Sequence, residues 1–272
     1  MGGDKILRAQ DVAMQNKLPF VQLIESAGAN LLQYRVEGFV NGGKLFYNLA
    51  RLSAAGIPVI GLVHGSSTAG GAYMPGLSDY VIMVRGRAKA FLAGPPLLKA
   101  ATGEIAKDEE LGGAEMHTRV SGLGEYLAED DADAVRIARE LLERLKWGTG
   151  GPPSGIDADP ALEPLYPADQ LAGAMPLDIR TPIDMREIIA RFVDRSEFTE
   201  FGADYGSATV VGHAALYGQP IGIITNNGPI DPAGANKATH FIQSCVQSNI
   251  ALLYLQNTTG YIVGRISEQA GM

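Results

Sequence analysis

Two short apolar runs that end in glycine, "LPFVQLIESAG" (18–28) and "IPVIGLVHG" (57–65), bracket a stretch of helical period. Strands buried on both faces are written as continuous apolar runs, and a helix between two of them returns the chain to a parallel neighbour. Between the runs, "GGKLFYNLARLSAAG" carries Leu45, Phe46, Leu49 and Leu52 at helical spacing. A helix over 41–54 and a buried strand over 57–63 are therefore predicted. The pattern is that of an α/β chain.

Composition narrows what such a chain does. Its 272 residues are 46% apolar and 19% charged, enough for sizeable cores. A net charge of -8 leaves no basic surplus for phosphates, so nucleic acid is not an expected partner. The single cysteine, Cys245, excludes an internal disulfide, and its place in an apolar stripe makes it a core residue. Four scattered histidines without a cysteine pair give no metal site. No apolar run approaches the ~18 residues of a membrane span. "MGGDKILRAQDVAMQNK" also lacks the apolar centre of a secretory signal.

Further along, "AEDDADAVRIARELLERL" has an acidic first turn suited to a helix dipole, with Val135, Ala138, Leu142 and Leu145 on its predicted apolar face. "GTGGPPSGIDADPALEPLYPADQ" (148–170) has no period and gathers Gly, Pro and acidic residues, which marks an interdomain connection over 149–180. Domains are thus expected over 1–148 and 181–272. In the second, "TPIDMREIIARFVD" (181–194) reads as a helix, and "TVVGHAALYGQPIGIITNNG" as a hairpin turning at Tyr217-Gly218-Gln219-Pro220.

Residues 4–28 align without a gap on 236–260, an offset of 232. Ile6, Ala9, Ala13 and Met14 face Ala238, Phe241, Cys245 and Val246, and Lys5, Gln15, Leu23 and Gly28 match identically. Such a duplication implies two related domains. The second copy ends before any counterpart of the helix, strand and glycine loop that come after the first, so the chain reads as a window on a longer two-copy protein.

"LVHGSSTAGGAYMPG" (62–76) holds a run of small residues at a strand end. Three readings stand side by side. One is a tight connection with glycines for packing. A second is a nucleophile elbow, because "GSSTA" is one residue from G-x-S-x-G, with His64 close and His117, His213 and His240 downstream. The third is an oxyanion hole, in which backbone N–H groups of Gly70 and Gly71 face developing charge with no side chain in the way. The loop lacks the lysine and spacing of a phosphate loop. Two later segments carry the same signature: "FLAGPPLLKAATGE" (91–104), with an extended Gly94-Pro95-Pro96, and "ELGGAEMHTRVSGLGEYLAEDD" (110–131), a long irregular connection bearing Gly112-Gly113 and His117.

At these residues the chain resembles a known family. "VHGSSTAGGAYMPGLSDYVIMVRGRAKAFLAGPPLLKAATGE", "LGGAEMHTRVSGLGEYLAEDDADA", "NNGPIDPAGANKATHFIQ" and "LLYLQNTTGYIVG" are similar to the carboxyltransferase (beta) subunits of biotin-dependent acyl-CoA carboxylases. The methylcrotonyl-CoA and geranyl-CoA branch is the nearest. The resemblance implies two crotonase-like (ClpP-like) domains built of ββα repeats, both incomplete here. It implies that Gly70, Gly71 and Ala72 form a first-domain oxyanion hole. Ser26, Ala27, Gly28, Thr68, Ala69, Gly94, Pro95, Pro96 and Leu97 would line the CoA side. It implies biotin as cofactor, carried as carboxybiotin by a biotin carboxylase/biotin carrier (alpha) subunit, and a homo-oligomer of beta subunits. The decarboxylated biotin takes the substrate's proton in this family, so no side-chain base is required. A second hole, for biotin, would come after a Gly-Ala pair beyond "SEQAGM". Such chains belong to the bacterial cytoplasm or, behind a transit peptide, the mitochondrial matrix. The alternatives are a non-catalytic chain that binds CoA or the partner only, and a biotin-dependent acyl-CoA decarboxylase subunit.

Overall fold

The structure is a computed structural model that describes residues 2–28, 36–145, 162–178, 181–257 and 260–271. The chain forms two compact units, Met1–Leu142 and Glu143–Met272. Of the Gly/Pro-rich connection predicted over 149–180, residues 149–161 and 179–180 lie outside the described residues.

In the first unit, helix α1 (Gly2–Asn16) leads to strand β1 (Phe20–Ser26), helix α2 (Val36–Ala54) and strand β2 (Val59–Thr68). A tight turn and helix α3 (Tyr73–Gly76) carry the chain to β3 (Tyr80–Val84) and β4 (Lys89–Phe91). Next come short helices α4 (Pro95–Thr102), α5 (Asp108–Gly112) and α6 (Ala114–Met116), then a π-helical turn (His117–Ser121), β5 (Tyr126–Ala128) and α7 (Asp131–Arg144). The sheet is parallel, in the order β1-β2-β3-β5, with β4 continuing alongside the far end of β2. β3 is buried at every residue, as expected of a strand covered on both faces. The predicted strand–helix–strand alternation is therefore present, with Leu49 and Leu52 of α2 in the core.

Three local expectations need correction. β2 does not stop at residue 63: its pairing with β1 and β4 carries it through the glycine- and serine-rich stretch to Thr68. The irregular connection at 110–131 is largely helical. In α7 the buried stripe is Ala134, Ile137, Ala138 and Leu141, with Leu145 buried just after the helix, while Val135 is 45% exposed.

The second unit holds helices α8 (Leu171–Ala174) and α9 (Met185–Ile189), strands β6 (Thr199–Glu200), β7 (Thr209–Leu216) and β8 (Gln219–Asn226), helix α10 (Pro232–Gln247), strand β9 (Ala251–Tyr254) and helix α11 (Arg265–Gln269). Its sheet runs β6-β7-β8-β9, antiparallel except for the β8–β9 pair. The hairpin turns where predicted: Tyr217 and Gly218 both have positive φ (51° and 75°), the twist-compatible two-residue turn. Their N–H groups donate to the carboxylate of Asp194 at 2.8 and 2.6 Å, which pins the turn. The helix expected over 181–194 is only α9, because the chain breaks into turns that lead to Asp194. Ile189, Val193, Ala214 and Ile223 form the unit's buried centre.

The aligned segments end their helices identically. After α1, Lys17 takes φ 50° and Leu18 N–H donates to Ala13 O at 2.9 Å; after α10, Asn249 takes φ 55° and Ile250 N–H donates to Cys245 O at 2.8 Å. These are the same positions at an offset of 232, each a left-handed cap with a six-to-one hydrogen bond. Burial is shared less evenly: Ala13 and Cys245 are both buried, but Lys5 is exposed where Lys237 is buried.

Candidate functional site

The carboxyl end of β2 organises the site. Along β1 the register steps from Ile24↔Val63 to Ser26↔Ser67, so three residues of β2 oppose Glu25 alone. Such a bulge bends a strand and re-aims the side chains beyond it. It brings Ser26 beside Ser67, and on the opposite side Ser67 pairs with Ala90 and Thr68 with Phe91 of β4. The ends of three parallel strands are thereby placed side by side, the end of a parallel sheet where ligands bind.

Beyond Thr68, Ala69 adopts φ 54° and opens a 3-10 turn, Ala69–Ala72, that runs into α3. Tyr73 N–H donates to the carbonyls of Gly70 and Gly71. The two glycines answer different demands. Gly70 is exposed, and a Cβ built on it meets nothing within 4 Å. Gly71 is buried; its Cβ would lie 2.8 Å from Ser26 Cβ and 2.9 Å from Ser26 Oγ. Gly71 is therefore glycine to let the turn fold onto β1, and Gly70 alone leaves open space. Ser26 Oγ accepts a hydrogen bond from Gly28 N–H at 3.2 Å. A Cβ on Gly28 would come 3.3 Å from Thr68 O. Ser26, Ala27 and Gly28 thus come together with Thr68, Ala69, Gly70 and Gly71, two segments far apart in sequence.

The third segment joins through Phe91. Gly94 packs against that ring, its would-be Cβ 3.3 Å from Phe91 Cε2. Gly94 itself is extended (φ -69°, ψ 168°), but Pro95 and Pro96 are not: they open α4, where the lost N–H groups cost nothing. Leu97 and Leu98 N–H donate to Gly94 O, each at 3.0 Å. Leu97 is 59% exposed.

The nucleophile elbow is not formed. Ser66 and Ser67 lie inside β2, not on the turn. His117 is engaged by Ser121 and Ala90, while in the second unit His213 packs at a tilt against Phe241 and His240 lies edge-on to Phe201. Burial lowers the His213 pKa to about 4 and raises that of the Cys245 thiol to about 12, so the one is a neutral core group and the other an inert thiol. Phe91 and His117 lie in the two later small-residue segments and neighbour the site, but the sequence assigns neither a part in it; for His117 the signal is the motif "GGAEMH", whose glycines mark a close approach. Among the described residues no helix is long and apolar enough to cross a membrane.

Comparison with known proteins bears on this geometry. The carboxyl transferase domain family matches residues 1–272. A Mycobacterium tuberculosis protein described as a probable biotin-dependent acyl-coenzyme A carboxylase beta2 subunit is 53% identical over 98% of this chain and 50% of its own length. The mitochondrial methylcrotonoyl-CoA carboxylase beta chain of Dictyostelium discoideum is 45% identical over 98% of this chain and 45% of its own. Among solved structures, the beta subunit of P. aeruginosa geranyl-CoA carboxylase is 56% identical with a TM-score of 0.51, covering 99% of this chain and 50% of that one. Transcarboxylase 12S, with hydrolyzed methylmalonyl-coenzyme A bound, is 31% identical with a TM-score of 0.88, covering 99% and 52%. The chain spans about half the length of the curated relatives it matches. Its α/β fold is that of the crotonase-like superfamily. The chain belongs to the carboxyl transferase domain family, alongside the beta subunits of biotin-dependent acyl-CoA carboxylases.

Proposed function

We propose that this chain supplies the acyl-CoA side of a biotin-dependent carboxyl transfer, acting on a 3-methylcrotonyl-CoA-like thioester. The observation that carries it is the open space at Gly70, on a turn whose neighbour Gly71 is locked against Ser26. A backbone donor is useful to an oxyanion only when it is rigid and unobstructed. Gly71 supplies the rigidity and Gly70 the approach. The N–H groups of Gly70 and Gly71, with Ala72 closing the turn, hold the charge that develops on the thioester oxygen as the acyl group loses its proton. Each such donor contributes about 3 kcal/mol. Ser26, Ala27, Gly28, Thr68 and Ala69 form one wall of the CoA site, and Gly94, Pro95, Pro96 and Leu97 the other.

Carboxybiotin on an alpha-type partner subunit supplies the carboxyl group; none of this chain's residues is assigned to it. A homo-oligomer fits the same reading, the transcarboxylase 12S structure being described as a hexamer assembly. Residues 1–148 then belong to the first domain of the subunit, 181–272 to the second, and 149–180 to their connection. The compartment is the bacterial cytoplasm or the mitochondrial matrix.

The test is Gly70→Val in the assembled carboxylase. A fall in kcat of about 10²-fold or more, with Tm unchanged, is expected. Wild-type turnover in that variant overturns the assignment. Gly71→Val does not serve, since any Cβ there meets Ser26 before it meets substrate.

A further inference from the structure

We infer that His117 is a positioning residue for the acyl-CoA site: its imidazole clamps the Ala90 carbonyl of β4 to the π-helical turn and so fixes where Phe91–Leu97 stands. The inference rests on the acyl-CoA reading of Gly94–Leu97 given above. His117 Nε2 lies 2.7 Å from Ala90 O, and Nδ1 lies 2.7 Å from Ser121 Oγ. A carbonyl only accepts, so the proton sits on Nε2 and the Ser121 hydroxyl donates to Nδ1. Ser121 Oγ in turn accepts from Leu123 N–H at 3.3 Å. One ring thereby spans from the end of the turn to the strand.

Ala90 needs that clamp. β4 is only three residues long, pairs with β2, and has a single bridge to Gly113 on its other edge. Ala90 is 3% exposed, so without His117 its carbonyl loses a partner where water does not reach. A Cβ on Gly112 would run into the same carbonyl, so α5 closes on it as well. Two members of "GGAEMH" thus converge on one backbone oxygen. The next residue, Phe91, pairs with Thr68 and carries Gly94 on its ring. A shift at Ala90 therefore moves both walls of the proposed site. π-helical turns recur at functional sites for this kind of side-chain aiming.

The experiment uses the 272-residue chain with two substitutions. His117→Leu fills the space without a donor; His117→Gln places an amide N–H near the Nε2 position. Hydrogen exchange over residues 91–98 and calorimetric binding of 3-methylcrotonyl-CoA are read together. For His117→Leu, exchange at 91–98 rises about tenfold or more and acyl-CoA binding weakens about tenfold, with exchange in β3 and α7 unchanged. His117→Gln returns both to within about threefold of wild type. Unchanged exchange at 91–98, an equal rise everywhere, or loosening without weaker binding overturns the inference. Should His117→Leu fail to fold, Ser121→Ala, which removes only the hydroxyl behind Nδ1, is expected to raise exchange at 91–98 about threefold, and no rise overturns the clamp. If wild type binds no acyl-CoA, the functional reading fails while the exchange data still decide whether His117 holds β4.

Discussion

Two buried ionisable groups show how single residues bear on this fold. Lys237 is 2% exposed, with Nζ donating to Gly202 O at 3.1 Å. Desolvation, aided by nearby Arg186, lowers its pKa from 10.5 to about 8. The unfolded chain therefore binds more protons between those values, and stability rises with pH across the window from about 8 to 10.5. At pH 7 the charged lysine costs on the order of 3 kcal/mol. Lys237→Met is expected to flatten that rise in urea melts taken across the same window; an unaltered slope contradicts it. Glu125 has the opposite sign. It is buried, accepts from Val81 N–H at 2.6 Å, and is pushed well above the usual carboxylate range by desolvation. The folded state holds its proton longer, so this group's contribution is lost as pH rises from its unfolded value toward its folded one. Glu125→Gln keeps an acceptor for Val81 and should flatten the fall that begins near pH 4.5, which melts at acid and neutral pH compare. Gly71→Ala, which forces Cβ onto Ser26, is expected to cost about 1–3 kcal/mol in denaturant melts, whereas Gly70→Ala leaves stability within about 0.5 kcal/mol.

At the scale of elements, apolar period is the legible quantity. β1 and the β7–β8 hairpin lie where their side-chain patterns put them, and α2 covers its predicted span while starting earlier, at Val36, because burial on one face or two leaves a mark in sequence. β2 outruns its apolar run for a physical reason. Gly65, Ser66, Ser67 and Thr68 carry no strand signature of their own, and only pairing with β1 and β4 keeps them extended. The extended backbone expected of Gly94-Pro95-Pro96 is realised at Gly94 alone. A residue before a proline avoids the helical region, but the prolines themselves start α4. The duplicated helix–strand unit makes its own prediction. Lys17 and Asn249 occupy the same left-handed cap, a conformation asparagine tolerates better than lysine. Lys17→Gly should stabilise by about 0.5–1 kcal/mol in a thermal melt and Asn249→Gly by less; destabilisation by Lys17→Gly contradicts a shared cap geometry.

For the molecule as a whole, the motifs name segments that converge in the fold but not the contacts that join them. Ser26 and Gly28 meet Gly71 and Thr68, and Gly94 packs on Phe91, which pairs with Thr68. What no single stretch shows is the division of labour between the two glycines, since that depends on Ser26, some 45 residues earlier, reaching under the turn. The role of His117 is equally illegible, because its partner Ala90 is 27 residues away on another strand. Both are long-range contacts created by the bulge in β2 and the shortness of β4. Central to the proposed function is an acyl-CoA site at the carboxyl ends of β1, β2 and β4, with its approach at Gly70. Calorimetric titration of 3-methylcrotonyl-CoA into the wild-type chain and into Gly70→Val tests it most directly. One site per chain in the wild type, weakened about tenfold or more in a variant that melts at the same temperature, is the predicted result. Equal affinity in the two proteins, or no binding by the wild type, would contradict it.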